Sequence, residues 1–141
     1  MIRKIPVELI TTLLVILFAY TALSKILEAD TFRKQMLNQP LPETLRQNLV
    51  WLIPLSEITT SIFLIIKPVR LYGFIAAFLL MLAFTLYVSL ILAKAFAYIP
   101  CSCGGILNTL SWEAHLIFNI VFTLLALAGI IIERKRRLIM T

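Results

Sequence analysis

The chain has 141 residues, 61% of them hydrophobic and only 14% charged, which leaves too few polar side chains to cover the surface of a water-soluble domain. Lipid is therefore the expected solvent. The net charge of +6 does not point to nucleic acid, because in a membrane chain the placement of Lys and Arg says more than their sum; a glycine-rich phosphate loop is also missing.

Crossing a hydrocarbon core takes about 20 mainly apolar residues. Four stretches meet that length, at about 7–27, 49–66, 70–93 and 112–132, and each is bounded by charge. The first is uncharged between Glu8 and Lys25. Arg3 and Lys4 ahead of an apolar run, with small residues near Ala19-Tyr20-Thr21, also fit a secretory signal peptide. The length of the run and the polar residues around Lys25 favour a bundle helix instead. Residues 28–37 read as a short interfacial helix whose Phe32, Met36 and Leu37 dip into the headgroup boundary, ended by Pro40 and Pro42.

The second span lies between Arg46 and Lys67 and is interrupted by a single acid, Glu57. Lys67-Pro68-Val69-Arg70 is a tight turn, so the second and third spans should be antiparallel neighbours. The third carries no charge between Arg70 and Lys94. After a connection over 94–110, Ser111 is a suitable N-cap and Glu113 places an acid in the first turn of the fourth span, where it suits the helix dipole. The expected architecture is one all-α membrane domain over 1–141: an up-down bundle of four transmembrane helices with a short extracytoplasmic interfacial helix. No internal repeat or coiled-coil heptad is visible.

Basic residues are unevenly distributed between the two sides of such a bundle. Arg3, Lys4, Lys67, Arg70, Arg134, Lys135, Arg136 and Arg137 share one side, against Lys25, Arg33, Lys34, Arg46 and Lys94 on the other, which also carries Glu28, Asp30 and Glu43. The positive-inside rule then puts both termini in the cytoplasm. The third connection, with both cysteines, falls outside, where disulfides persist.

That connection holds Cys101-Ser102-Cys103-Gly104-Gly105. A disulfide across a single intervening residue closes a tight ring and is generally easier to reduce than a relaxed structural bond. Gly104 and Gly105 allow a sharp turn that leaves the sulfurs open to a partner. The pattern suits thiol–disulfide exchange by Cys101 and Cys103. A static staple, or two thiols packed at the interface, is the plainer alternative. A soft metal ion held with His115 is a third, weakened because the chain has one histidine.

Counting ~1.5 Å per residue inward from each outer helix end, Tyr20, Glu57, Tyr87 and Asn119 share a depth of ~10–12 Å. Ser24, Lys25, Thr60, Ser89 and His115 lie within about a turn of that layer. Polar groups in lipid are costly unless they face one another, so a polar chamber beneath the cysteine loop is expected. Glu57 stands out because a carboxylate at that depth needs a cation or a proton, and Lys25 and His115 are its candidate partners. The plainer alternative is a register-fixing hydrogen bond from Tyr20 or Asn119. Trp112 and Tyr98 read as interface anchors.

Taken together, Ser24-Lys25 with Asp30-x-Phe32, Pro54-x-x-Glu57, Cys101-x-Cys103-x-Gly105, and Trp112 with Asn119 resemble the MauE/DoxX-like family of redox-associated membrane proteins over nearly the full length. The resemblance implies a four-helix protein of the bacterial inner membrane linked to methylamine utilisation. It also implies a thioredoxin-like or other cysteine-containing extracytoplasmic partner during maturation of the disulfide-rich small subunit of methylamine dehydrogenase. Family members often carry an aromatic residue where Gly104 stands here, a departure at the partner surface.

The reading that unites these features is a membrane thiol–disulfide redox protein in which Cys101 is attacked first, with Glu57 and His115 handling protons. One cysteine pair cannot carry electrons across a bilayer, so a quinone in the chamber or a second protein would have to accept them. A non-catalytic membrane scaffold, and a small-ligand-binding or transport bundle, are the rivals.

Overall fold

A computed structural model describes residues 4–96 and 110–141. The helices are α1 (Lys4–Leu27), α2 (Ala29–Leu37), α3 (Glu43–Ile65), α4 (Arg70–Leu92) and α5 (Trp112–Met140), with a 3-10 turn at Lys67–Val69 between α3 and α4. α1, α3, α4 and α5 are each long and apolar enough to cross a membrane. α1 packs on α3, α3 on α4 and α4 on α5, and the ring closes where α5 returns to α1.

Two helices outrun their apolar spans. α3 begins at Glu43 and α5 continues to Met140, because the apolar run marks where lipid begins and ends, whereas the backbone stays helical as long as its residues permit. Glu, Leu, Arg and Gln in the first turns of α3 are good helix formers. Past the apolar part of α5, Glu133 pairs with Arg136 at 3.6 Å and Arg137 at 3.7 Å, one turn along the same face. Ser111 caps α5 as expected, its hydroxyl accepting from the Ala114 amide at 3.2 Å.

Each long helix carries a stripe of exposed large apolar residues at seven-residue spacing. These are Leu9, Ile16 and Leu23 on α1, Leu55 and Ile62 on α3, Tyr72, Leu79 and Leu86 on α4, and Ile117, Leu124 and Ile131 on α5. In water such continuous stripes would be a large unfavourable patch; they suit contact with acyl chains. The opposite faces meet in a core that includes Leu14, Phe18, Leu64, Phe74 and Ala126.

α2 differs from its expected role. Phe32 and Met36, one turn apart, are buried and face the bundle rather than the headgroups. The gap beside α1 and α3 offers them a dry site, and burial there removes more apolar surface from water than an interface does. The guanidinium of Arg46 on α3 donates to the Leu37 carbonyl, satisfying an acceptor that the end of α2 leaves open.

At the opposite end, Arg70 is only 3% exposed and acts as a clasp rather than a free surface charge. Its Nε donates to the Leu64 carbonyl at 3.0 Å and its Nη1 to Glu8 Oε1 of α1 at 2.9 Å. Arg137 of α5 donates to the Pro68 carbonyl at 2.6 Å. Charge thus ties α1, α4, α5 and the turn together where the bundle meets its polar surroundings.

The three-residue turn brings the α3 and α4 backbones very close. A Cβ at Gly73 would stand 2.6 Å from the Leu64 nitrogen and 2.8 Å from the Phe63 carbonyl carbon, and backbone atoms cannot swing aside. Gly73→Ala is therefore expected to destabilise the protein by about 1–3 kcal/mol, the usual range for overpacking, seen as a lower unfolding temperature in detergent. An unchanged unfolding temperature would mean that the two helices do not meet this closely.

Candidate functional site: an intramembrane cavity

All five helices contribute to a cavity of about 480 Å³, within the range of about 300–1,000 Å³ typical of small-molecule sites. Its walls are mostly apolar, from Leu17, Phe18, Phe32, Met36, Ile53, Leu80, Met81, Phe84, Val88 and Phe118 among others. Polar side chains interrupt them at a few points. Lys25, Glu57, Tyr87, His115 and Asn119 all line the cavity, so five residues expected within about a turn of one level border the same space. The space is an apolar chamber with discrete polar groups rather than a generally polar one.

Tyr20 does not line it and is 39% exposed. Depth along a helix gives height but not azimuth. The inward face of α1 is set by Leu17, Phe18, Thr21 and Lys25, at helical spacing, and Tyr20 lies off that face. Ser24, Thr60 and Ser89 also lie outside the lining. The hydroxyls of Thr60 and Ser89 bond back to the carbonyls of Ser56 and Thr85, each at 2.7 Å, a local solution available to hydroxyls in any helix.

Glu57 takes Lys25 as its partner. The Lys25 ammonium donates to Oε1 at 3.0 Å and Oε2 at 3.2 Å, and to the Thr21 carbonyl at 3.3 Å. The Glu57 side chain is 2% exposed and that of Lys25 9%. The ammonium also lies 5.8 Å from the centroid of the Phe32 ring, within cation–π range, which links the pair to α2. A second polar group joins Tyr87 of α4, whose hydroxyl donates to the side-chain carbonyl of Gln39. Gln39 in turn donates to the Gln35 carbonyl at 3.1 Å. Sequence reasoning passed over Gln39; its only signal was an amide just past a short amphipathic helix.

The α5 wall is different. His115 and Asn119 are one turn apart and both face the cavity. His115 Nδ1 and Asn119 Nδ2 are buried without a hydrogen-bond partner among the described residues. The His115 ring stacks on Trp112, with centroids 6.1 Å apart and planes 9° from parallel, so the imidazole is held in place while one nitrogen stays available. The alternative bond from Asn119 to Glu57 is not made through Nδ2.

Cys101, Cys103, Gly104 and Gly105, together with Tyr98, lie outside the described residues, as therefore does any metal site that would join the cysteines to His115. Among the described residues no three His, Cys, Asp or Glu side chains cluster as a metal site. In the sequence, eight residues separate Cys103 from Trp112, the first residue of α5.

The Lys25–Glu57 pair makes a clear energetic prediction. Breaking a buried pair by removing one partner costs about 3–5 kcal/mol, whereas replacing both with apolar residues of similar volume is often neutral. Lys25→Met alone is expected to lower the unfolding temperature sharply. Lys25→Met combined with Glu57→Met should recover most of the loss, as measured by thermal unfolding in one detergent.

No curated protein and no solved structure matches the chain at a significant level. The sequence profile described as methylamine utilisation protein MauE matches residues 3–132. The match takes in α1 to α4, the cysteine segment and most of α5, including every residue that lines the cavity. With four helices fit to cross a bilayer and a family match over nearly its whole length, the chain is a multi-pass membrane protein of the MauE family.

Proposed function

We propose that this protein is a membrane thiol–disulfide redox protein that assists disulfide formation in an extracytoplasmic partner. The observation that carries the reading is the Cys101-Ser102-Cys103-Gly104-Gly105 segment: the chain's two cysteines stand one residue apart, beside two of its four glycines. Membership of a family described by methylamine utilisation supports a context such as maturation of the disulfide-rich subunit of methylamine dehydrogenase. The distribution of Lys and Arg supports an inner-membrane topology with both termini cytoplasmic and the cysteines outside.

In this scheme a partner thiolate attacks the Cys101 sulfur and Cys103 leaves as a thiolate, giving a mixed disulfide. A second partner thiolate then displaces Cys101. The partner gains a disulfide, and the Cys101–Cys103 bond becomes a dithiol holding the two electrons. A two-electron acceptor must reopen the cycle. His115, whose Nδ1 has no partner among the described residues, is better placed to exchange protons than Glu57, whose two oxygens are both engaged by Lys25.

The 480 Å³ cavity favours a second reading, a small-ligand-binding or transport bundle with a structural cysteine bridge. Replacing Cys101 and Cys103 by Ser separates the two. Loss of partner oxidation with unchanged protein abundance is the outcome expected of a redox centre. Loss of the protein itself would identify a staple, and retained partner oxidation would remove the redox reading altogether. In intact cells a membrane-impermeant maleimide should label both cysteines only after reduction, and the mass shift should follow the external redox poise. Thiols that stay free under oxidising conditions would be incompatible with the scheme.

A further inference from the structure

We propose that the intramembrane cavity binds the head of a lipid-soluble quinone, with Asn119 donating a hydrogen bond to a ring carbonyl and His115 beside it. The proposal deepens the redox reading above and rests on it for the ligand's role, though not for the binding site itself.

Four observations specify the ligand. First, the lining is dominated by apolar and aromatic side chains, so a strongly polar or charged guest would lose its hydration without replacement. The only lysine or arginine on the wall among the described residues, Lys25, is already held by both oxygens of Glu57. The guest is therefore neutral and largely apolar.

Second, it is not a bare hydrocarbon. Asn119 is 3% exposed and its Nδ2 has no partner among the described residues, and a buried donor left unpaired is costly. An acyl chain would leave that cost in place; an acceptor oxygen removes it. Third, His115 Nδ1 lies one turn away on the same wall, and an imidazole nitrogen can either accept from a hydroxyl or donate to a carbonyl. That adaptability suits a molecule that alternates between carbonyl and hydroxyl forms. Fourth, Phe18, Phe84, Phe118 and Trp112 on the walls are suited to a planar ring.

A quinone also balances the chemistry. The two thiols of Cys101 and Cys103 lose two protons and two electrons and form one S–S bond. The quinone takes up both electrons and both protons, forming two O–H bonds as it becomes a quinol. No further oxidant is required for that half-cycle.

The test uses fluorescence from the cavity wall. The chain has two tryptophans; Trp51 is 77% exposed on the outer face of α3, so a full-length Trp51→Phe protein reports through Trp112 alone. Purified in detergent, it would be titrated with decylubiquinone, with decylbenzene as a competitor of similar tail but no carbonyl. The expected result is saturable quenching that decylbenzene does not reverse. Asn119→Leu should weaken binding about tenfold, the share of one well-made hydrogen bond. If that variant does not fold, Asn119→Thr and His115→Phe carry the comparison, each expected to weaken quinone binding. Quenching that rises without saturation, displacement by decylbenzene at equal concentration, or parent-like affinity in a folded Asn119 variant would each overturn the proposal. The Cys101→Ser/Cys103→Ser protein should bind quinone as the parent does. Binding there with no partner oxidation in the parent would sink the redox reading alone, whereas cysteine cycling without quinone binding would sink only the cavity assignment.

Discussion

A bilayer has no water to give a carboxylate or an ammonium, so Glu57 on α3 and Lys25 on α1 have to satisfy each other. Their contact at 3.0 and 3.2 Å fixes the height of one helix against the other. A slip of one residue along either helix would shift its side chain by ~1.5 Å and rotate it by about a quarter turn. Phe32 on α2 closes over the ammonium at 5.8 Å, so the short helix is positioned by the same charge. The apolar packing of Leu14, Phe18 and Leu64 adds contact but is less directional. At the other end Arg70 does the equivalent work between α1 and α4 through Glu8. The bundle is thus pinned near both ends by ion pairs, with a greasy middle between them.

What the sequence made legible follows the same physics. Four spans were readable because lipid demands long apolar runs, and the grouping of Glu57, Tyr87 and Asn119 with Lys25 and His115, which line one cavity, was readable because helical rise is constant. Azimuth was not: Tyr20 has the right height but sits off the inward face of α1, 39% exposed. Helix ends were also hidden, since Glu43 and Met140 bound helices well past the apolar residues. The apolar face of α2 was correctly read from Phe32 and Met36, yet its partner was not, because an amphipathic helix looks the same whether it rests on headgroups or on protein. Glu8 and Arg70, 62 residues apart in the chain, were read only as flanking charges. Nothing local announces such a pair; it exists only once α1 and α4 share one end of the bundle.

In the proposed scheme the cavity and the cysteine segment divide the chemistry. A thiol pair needs exposure to reach a protein partner, whereas a lipid-soluble electron acceptor needs a dry site. Placing the cysteines in the connection before α5, and His115 and Asn119 in the first two turns of that helix, puts the two requirements on consecutive parts of one segment. The stacking of His115 on Trp112 fixes the imidazole at the start of α5.

The turn at Lys67–Val69 bears on how the chain enters the membrane. α3 is the least apolar of the four spans and carries Glu57 and Pro54, while α4 is the most apolar. With four residues joining them, Ile66 to Val69, neither can cross far without the other, so the quantity that decides insertion is the sum over the hairpin. The surplus of α4 offsets the deficit of α3 before Lys25 has neutralised the acid. A carboxylate that would be a poor candidate for lipid in an isolated helix can thus be delivered into a bilayer by its neighbour, and the cavity it borders can form afterwards.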